Sequence, residues 1–250
     1  LTDPDSRSMA TSGRGSGVVG YNVQTAVDTE THLIVAHDVT MTGSDRGQLA
    51  RMSKLTKATL NVEHLEVVAD RGYFNSPEIY ACEQAKIRVT LPKPQTSPAR
   101  AKGLFTKADF RYLAGEDVYI CPAGERLEAF TRKADAGLNL RLYKTDACFI
   151  CPQKKKCTLG VQRQIRRWEH EHVLEDVQRR LDENPQAMRT RRETVEHPFG
   201  TIKARMGATH FLMKRLKNVA TEMALHVLAY NMTRVINIIG IKPLIAAIRT

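Results

Sequence analysis

Hydrophobic and polar positions alternate along two early stretches of the chain. "YNVQTAVD" (residues 21–28) and "HLIVAHDVT" (residues 32–40) are rich in β-branched residues, alternate partly with a period of two, and are separated by "TET". Such alternation across a short polar connection is typical of two antiparallel strands. The pattern therefore predicts a β-hairpin.

After the hairpin the period changes to that of a helix. Leu49, Met52 and Leu55 recur at helical spacing, and Ser44 or Asp45 before them can cap a helix. The elements predicted next are a strand at 63–70, a short helix at 76–86 and a strand at 87–92. The order β-β-α-β-α-β predicts an α/β fold, with helices packed on a mixed sheet.

Beyond Pro92 the pattern changes again, and "PKPQTSPARAKG" is typical of a linker. Short strands and turns are predicted for 104–160, helix for 163–206, and a long, apolar, buried helix for 216–239. The predicted domains are a flexible lead-in at 1–20, the first part of a core at 21–95, an insertion at 96–185, and C-terminal helices at 186–250 that complete the core.

Composition narrows the class of protein and its partners. Of the 250 residues, 42% are hydrophobic and 26% are charged, which is typical of a soluble globular protein. No apolar run reaches the roughly 18 residues that a membrane-spanning helix needs. The formal net charge is +11, and residues 96–168, with 15 basic and 7 acidic side chains, carry +8 of it. We therefore expect a polyanionic partner, most simply nucleic acid, and no membrane.

A carboxylate ends one of the predicted strands. Asp70 closes "LEVVAD" and is followed by "RGYF". A side chain at the carboxyl end of a central strand lies at the mouth of an α/β sheet, where functional sites form. Asp70 is therefore a catalytic candidate. The alternative is an aspartate that caps a turn, since Gly72 and Asn75 are typical turn residues.

The stretch "RRETVEHPFGTIK" (residues 191–203) combines a carboxylate with cations. On an ideal helix Arg192, Glu196 and Lys203 fall within about 40° of one another. One face would then suit metal and phosphate binding, because divalent ions take carboxylate oxygens and phosphates take Arg or Lys. A solvated face with an ordinary Arg–Glu pair is the alternative. Pro198 lacks a backbone donor, pushes the preceding residue away from helical angles, and predicts a bend just after Glu196.

Four of the five cysteines lie in the basic stretch. Cys148 and Cys151 form a C-x-x-C pair, with Cys121 before it and Cys157 after it. This spacing lets two thiolates bind one tetrahedral ion, so the four are candidate ligands of a structural Zn²⁺. Reduced free thiols and a redox disulfide are the alternatives. Cys82 is expected to be a buried core thiol.

Three consecutive lysines separate the last two of these cysteines. Lys154, Lys155 and Lys156 raise the local positive potential. They would lower the thiol pKa values and could contact the phosphates of DNA. They are therefore candidate DNA-binding residues.

Together these pieces resemble a known family. "VVADRGYF" and "RRETVEHPFGTIK" are similar to the second-aspartate and glutamate regions of bacterial insertion-sequence transposases of the DDE superfamily. The second stretch matches the family's Y-x2-R-x3-E-x6-K signature at Arg192, Glu196 and Lys203, with Arg189 in place of the tyrosine. "YNVQTAVD", "SDRGQL" and the cysteine-bearing "CFICPQKKKC" also resemble one subgroup of that family.

The resemblance implies an RNase H-like fold that a basic, cysteine-rich insertion interrupts. It implies DNA transposition, in which strands are cleaved and transferred by two-metal phosphodiester chemistry with Mg²⁺ or Mn²⁺. Asp70 and Glu196 carry over as metal ligands, and Arg192 and Lys203 as contacts to DNA and to the transition state. Arg191, next to Arg192, is a further candidate DNA-binding residue. The expected partners are transposon terminal repeats and target DNA, bound by a homodimer in a synaptic complex in the bacterial cytoplasm, at the nucleoid.

The first aspartate of the family has no clear counterpart. It should lie on a strand before the one at 21–28, and Asp3, Asp5 and Asp28 match it poorly. Because the chain also starts at Leu1, we expect a C-terminal fragment that lacks this carboxylate and is inactive alone. The alternatives are a non-catalytic, zinc-stabilised nucleic-acid-binding remnant and an RNase H-like nuclease that cuts without strand transfer.

Overall fold

The structure, a computed structural model, describes residues 2–9, 17–94 and 98–249. The chain forms two compact units. We call them the core unit, which runs to residue 94 and resumes at 176, and the insertion unit, residues 95–175. The predicted α/β class is confirmed, because strands and helices mix along the chain.

The regular elements of the described residues follow in chain order. The strands are β1 (Arg7–Met9), β2 (Val18–Gly20), β3 (Asn22–Val27), β4 (Ile34–Thr40), β5 (Leu65–Val68), β6 (Ile87–Thr90), β7 (Arg111–Leu113), β8 (Val118–Ile120), β9 (Arg126–Asp135), β10 (Leu138–Lys144) and β11 (Ile165–Trp168). The α-helices are α1 (Leu49–Leu60), α2 (Ser76–Gln84), α3 (Pro98–Ala101), α4 (Lys154–Cys157), α5 (Glu171–Glu183), α6 (Ala187–Gly200), α7 (Leu216–Ile239) and α8 (Ile241–Ile248).

The predicted hairpin is confirmed in the core unit. β3 and β4 pair antiparallel, and the register shifts by a bulge after Ala26. Ile34 and Val39 of β4 are buried against Val219 and Val227 of α7. The apolar positions that alternate along the hairpin thus form a core with the long C-terminal helix.

A parallel strand pair forms the other predicted part of the core unit. β5 and β6 pair in parallel, and α2 provides the crossover that a parallel pair requires. Ile87 and Val89 of β6 are completely buried. Cys82 on α2 is also completely buried, as predicted, and burial raises the pKa of its thiol to about 11.

The lead-in is more ordered than the sequence predicts. Within residues 1–20, expected to be a loop, β1 pairs antiparallel with β2. Gly17 permits the approach, because a Cβ there would lie 2.6 Å from Oγ of Ser8. The β-branched Val18 and Val19 favour the extended conformation even though both are exposed. This short strand pair was not predicted, because a polar, glycine-rich composition is typical of a loop.

The long helix α7 is buried on one side only. Val219, Met223 and Tyr230 are nearly inaccessible, whereas Leu225 and Leu228 are more than half exposed. The expectation of a buried helix is therefore wrong for half of its circumference. Within the described part of the chain no single helix is long and apolar enough to cross a membrane, and α7 with α8 passes that test only as a pair bent by 116°.

Polar residues that interrupt the apolar sequence of α7 bind backbone groups. The Asn231 side chain accepts a hydrogen bond from the N–H of Ile34 and donates one to its carbonyl oxygen, both at 2.9 Å. Glu222, 9% exposed, accepts hydrogen bonds from the backbone N–H groups of Leu212 and Met213, the shortest at 2.9 Å. These side chains satisfy backbone groups that would otherwise lack partners.

The proline in α6 does not end the helix. α6 continues through Pro198 to Gly200, and His197 keeps helical geometry, contrary to the expectation that the proline displaces it. A π-helical turn at Thr201–Arg205 follows directly. The change in helical hydrogen bonding therefore appears three residues after the proline, and the wider turn alters the angular position of Lys203.

The insertion unit is built on a five-stranded antiparallel sheet in the order β11-β10-β9-β8-β7. One face is covered by a small core of five buried residues: Phe110, Tyr119, Leu127, Tyr143 and Ile165. The prediction of helix throughout 163–206 is wrong at its start, because β11 adds a strand to this sheet.

Candidate active site and cysteine cluster

Asp70 lies at the carboxyl end of β5, as predicted, and caps a 3-10 turn at Arg71–Tyr73. Its Oδ1 accepts a hydrogen bond from the N–H of Gly72 at 2.8 Å. A Cβ on Gly72 would lie 2.9 Å from this oxygen, so the close approach depends on glycine. The turn-capping role is real, but it uses only one of the two carboxylate oxygens.

The second oxygen of Asp70 contacts α6. Oδ2 accepts a hydrogen bond from the Arg191 guanidinium at 2.9 Å. The side chains are 41% and 26% exposed, so solvent screens the pair, and its contribution to folding is no more than about 1 kcal/mol. The contact nevertheless holds a cation directly beside the candidate catalytic carboxylate.

A second carboxylate, which the sequence interpretation treated only as a helix cap, lies beside Asp70. A Cβ on Gly72 would be 3.6 Å from Oδ2 of Asp45 and 2.9 Å from Oδ1 of Asp70. Burial, together with the charges of these two carboxylates, raises the pKa of the Tyr73 phenol. Asp45 is thus a candidate site residue that the sequence analysis considered only as a cap, although "SDRGQL", which contains it, is one of the stretches that resemble the family.

Two amides from β3, one of them buried, hold Asp45 in place. Gln24, 1% exposed, donates from Nε2 to Oδ1 of Asp45 at 2.7 Å, and its Oε1 accepts the hydroxyl proton of Tyr73 at 2.5 Å. Asn22 donates from Nδ2 to the same Asp45 oxygen at 2.8 Å. A fully hydrogen-bonded buried network of this kind is rigid. It fixes the loops that carry Asp45 and Asp70.

Glu196 lies on the exposed side of α6. Thr194 and Pro198 are buried, and at 100° per residue Glu196 points about 200° away from Thr194. Among the described residues no hydrogen bond or ion pair joins Glu196 to Asp70, whose partner from α6 is Arg191. The role of Glu196 as a metal ligand therefore stays a prediction.

Arg192 is also exposed, four residues before Glu196 on α6. Lys203 lies in the π-helical turn, with Nζ 5.8 Å from the centre of the Phe199 ring. The predicted alignment of Arg192, Glu196 and Lys203 assumed an ideal α-helix throughout. The wider turn breaks that assumption at Lys203 alone.

A histidine next to Glu196 belongs to a ring cluster. His197 lies 2.8 Å through Nδ1 from the Tyr230 hydroxyl, which itself donates to the carbonyl of His32 at 2.8 Å. Because the tyrosine has one proton, His197 must donate from Nδ1. Burial, followed by the charges of His32, Arg234 and Arg205, lowers the pKa of His197.

The three aspartates considered as substitutes for the missing one have structural roles. Asp3 accepts the hydroxyl proton of Tyr21 at 2.8 Å, and Asp5 accepts the N–H of Leu216 at the start of α7 at 2.9 Å. Asp28 accepts two hydrogen bonds from Thr31 in the hairpin turn, the shorter at 2.6 Å. Each carboxylate is thus engaged in folding the core unit.

The four cysteines of the insertion unit converge. All of them line one cavity: Cys121, Cys148, Cys151 and Cys157. Burial, and to a smaller extent charge on the other three thiols, raises the pKa of Cys157. All four are free thiols.

Proximity does not yet amount to a metal site. Within residues 2–9, 17–94 and 98–249, no group of three or more His, Cys, Asp or Glu side chains is arranged to hold a metal ion. This finding applies both to the cysteines and to the carboxylates around Asp70.

The three lysines form the short helix α4 beside the cysteine cavity. Lys155 and Lys156 are exposed, and Nζ of Lys154 lies 5.9 Å from the centre of the exposed Phe149 ring. The positive charge of Arg163 lowers the pKa of Cys157 and so partly offsets the rise that burial causes. The lysines remain predicted DNA contacts.

Fold and site first define a class: a mixed α/β protein with a carboxylate at the end of a parallel strand and a neighbouring helix that carries a glutamate among arginines. The family model described as "Transposase DDE domain" matches residues 120–236, a little under half of the chain. Over these residues the chain is similar to transposases of the DDE superfamily, and the resemblance is confirmed at that level. The match contains Glu196 and begins 50 residues after Asp70, which it does not include. No curated protein and no solved structure matches significantly.

Proposed function

We propose that this chain is the catalytic domain of a DNA transposase of a bacterial insertion sequence, with an RNase H-like fold. Its reaction is the cleavage and transfer of DNA strands. The observation that carries the proposal is the placement of Asp70 after β5, held by Gly72 and by Arg191 of the helix that also bears Glu196. The related transposase family supports the same reaction class.

Mg²⁺ or Mn²⁺ is the cofactor that this reaction class implies. Asp70 and Glu196 are the proposed carboxylate ligands, and Asp45 lies near enough to Asp70 to influence the same charge balance. The described residues do not complete a ligand set. The proposal accordingly assigns the missing donor to a first carboxylate outside this chain.

A gap in the core unit supports that assignment. β3 is paired with β4 alone and β5 with β6 alone, so each has a free edge within the described sheets. A cavity is lined by residues 24–27 of β3, by β5, and by parts of α1 and α6. Free strand edges on both sides of a cavity are what the loss of one intervening strand would leave. We assign the first carboxylate to such a strand.

The substrate in this proposal is DNA, both transposon terminal repeats and target. Arg191, Arg192, Lys203 and the lysines of α4 are the proposed contacts, because Arg and Lys bind phosphate oxygens. A homodimer in a synaptic complex, in the cytoplasm at the nucleoid, is the proposed working assembly.

A structural Zn²⁺ in the insertion unit is also proposed. The support is the convergence of four thiols on one cavity in a small unit. Because the thiols do not yet form a complete set, binding requires the loop between β10 and α4 to adjust. Metal analysis after gentle purification tests this, and less than about half an equivalent of zinc would argue against the site.

The non-catalytic nucleic-acid-binding remnant is a second candidate. The observation that favours it is the ion pair of Asp70 with Arg191, together with the exposed position of Glu196. In that case both carboxylates serve only to fold or solubilise the core unit. The two candidates differ in one measurable property, namely whether DNA is cut.

The decisive experiment restores the upstream region that carries a first carboxylate and measures cleavage and strand transfer on terminal-repeat DNA. Asp70→Asn and Glu196→Gln should each abolish both reactions. Glu193→Gln is the matched control, because Glu193 is exposed on the same helix and forms a surface ion pair with Arg189. Equal activity of wild type and Glu196→Gln would refute the catalytic proposal, and cleavage without transfer would identify a nuclease.

The chain of 250 residues should be inactive in the same assay. Asp28→Ala provides the control for this statement, since Asp28 is the strand-end aspartate closest in type to the missing one. Mg²⁺-dependent nicking by the unextended chain, lost on Asp28→Ala, would show that the first carboxylate is present after all.

A further inference from the structure

Three arginines form a row across the sheet of the insertion unit. Arg132 of β9 lies directly opposite Arg141 of β10, and Arg141 lies directly opposite Arg167 of β11. Directly opposed residues of antiparallel strands point to the same face, about 5 Å apart. We call these three residues the arginine row.

A row of like charges is costly in a sheet, because opposed residues of equal charge repel. The charge of Arg141, the central arginine, is nevertheless neutralised by a carboxylate. Asp117, in the left-handed region at φ 52°, forms an ion pair with Arg141 and accepts the hydroxyl protons of Tyr112 and Tyr143 at 2.7 and 2.6 Å. Burial opposes ionisation of Asp117, but these hydrogen bonds and Arg141 lower the pKa of its carboxyl.

The third arginine is fixed even more firmly. The Arg167 guanidinium lies 3.6 Å from the centre of the Tyr112 ring, and its side chain is 11% exposed. Two nitrogen atoms bind the carboxylate of Glu175, one of them at 2.9 Å. Stacked, bidentate arginines of this kind lose little further side-chain entropy when they bind a ligand.

The row lines a groove on this face. The groove encloses about 660 Å³ and also contains the exposed amide of Asn139. Arg132, at the open end of the row, is exposed and forms no ion pair with any described residue. One arginine is thus available, while two held arginines supply further N–H groups beside it.

We propose that this groove binds the sugar–phosphate backbone of duplex DNA, with Arg132 as the principal contact and Arg141 and Arg167 as its fixed neighbours. Planar guanidinium groups match phosphate oxygens, and residues 96–168, which include the whole arginine row, carry +8 of the net charge of +11. Tyr112 is covered by Arg167, so the groove offers phosphate contacts rather than a ring for stacking bases. The choice of DNA rests on the proposed function.

Anisotropy of a labelled duplex of arbitrary sequence, measured with the full chain over a series of salt concentrations, tests the proposal. Arg132→Glu should weaken binding on the order of tenfold and reduce the slope of log K against log salt by about 1. Arg132→Lys keeps the charge and should stay within about threefold of wild type on the same grounds.

Arg111→Glu is the matched control. Arg111 is an exposed arginine of β7 in the same sheet, and its neighbour Tyr112 points into the groove, so Arg111 points to the opposite face. Equal losses in Arg132→Glu and Arg111→Glu would show an effect of net charge and overturn the proposal. No loss in Arg132→Glu, or a loss confined to a single strand of equal length, would overturn it as well.

The result is independent of the catalytic test. If Glu196→Gln abolishes cleavage in the restored protein while Arg132→Glu leaves duplex affinity and salt slope unchanged, the groove proposal fails and the proposed function stands. If Arg132→Glu weakens duplex binding as expected while Glu196→Gln cleaves normally, the groove is a DNA-binding surface on a protein without the proposed chemistry.

Discussion

The two units hold their charged groups in opposite ways. In the core unit a carboxylate, Asp70, is held by a backbone N–H and by one arginine. In the insertion unit arginines are held by a carboxylate, Asp117, which tyrosine hydroxyls hold in turn. Each unit thus presents one sign of charge and uses the other as support.

The two units also differ in which charged atoms remain available to bind a ligand. Asp45 keeps one carboxylate oxygen near Gly72, beside Asp70, so the core unit gathers negative charge at the proposed metal site. The arginine row retains Arg132 and further guanidinium N–H groups, so the insertion unit presents positive charge to a phosphate. A protein that must hold both a metal and a polyanion needs both kinds of site.

Cysteine reactivity should separate the units most strongly. Cys82 of the core unit has a thiol pKa of about 11 and no accessible surface, so its thiolate is roughly 100-fold scarcer at neutral pH than that of an ordinary thiol. In native protein, Ellman's reagent should label the four cysteines of the insertion unit and leave Cys82 unmodified until the chain unfolds. Rapid native labelling of Cys82, checked by mass spectrometry, would contradict its burial.

Removal of the buried amide should destabilise the core unit. Gln24→Ala leaves Asp45 and the Tyr73 hydroxyl without their buried partner, and we expect a loss of about 2–3 kcal/mol in the free energy of unfolding. Urea denaturation followed by circular dichroism measures it. Gln178→Ala is the control, because Gln178 is exposed on α5 and donates a hydrogen bond to Asp182 of the same helix. Its loss should change stability by less than about 0.5 kcal/mol.

The supporting carboxylate of the insertion unit should have a smaller effect. Asp117→Asn weakens the contact with Arg141, and since both side chains are 37% exposed we expect a loss of about 1 kcal/mol. Trp168, the single tryptophan, lies in the insertion unit and reports its unfolding by fluorescence. Glu116→Gln, at an exposed ion pair with Arg126, is the control and should have no measurable effect.

The same carboxylate predicts a pH dependence. Because folding lowers the pKa of Asp117, its contribution is complete above the ordinary carboxyl pKa of about 4 and is lost as the pH falls through the lowered value. Unfolding of wild type, followed through Trp168, should therefore be more acid-sensitive than that of Asp117→Asn. Identical acid profiles for the two proteins would show that the ionised carboxylate of Asp117 does not stabilise the insertion unit.

The smallest effect belongs to a histidine of the core unit. Folding lowers the pKa of His197, so the unfolded chain binds the proton first. Stability should be complete above the ordinary histidine pKa of about 6.5 and decrease as the pH falls from there to the lowered value. His197→Gln should flatten this part of the profile. A wild-type core unit whose stability does not change between pH 7 and 5 would contradict the prediction.

The core unit follows its sequence closely where local patterns decide. Alternation predicted β3 and β4, and the apolar stretches predicted β5, β6 and α2, because each of these elements buries a periodic side. Asp70 followed from its position at the end of a strand. Its partner Arg191 was expected to contact DNA, since no local pattern states which of two neighbouring arginines faces a strand 121 residues away.

The rest depends on contacts between distant parts of the chain. Asp45 looked like a cap because its partners Asn22 and Gln24 precede it by more than twenty residues. The arginine row is invisible in the sequence, since its members belong to three strands and only the sheet register aligns them. The predicted angular position of Lys203 assumed an ideal α-helix, because a π-helical turn has no simple periodic pattern in the sequence.

The contact of Asn231 with Ile34 has a further consequence for assembly. By occupying both backbone groups of Ile34, the amide closes the outer edge of β4 to another strand at that point. The other edge of the hairpin, along β3, borders the cavity next to β5. An extended segment that joins this hairpin is therefore directed towards the interior of the core unit, and unspecific edge-to-edge association with other molecules is disfavoured on the side of α7.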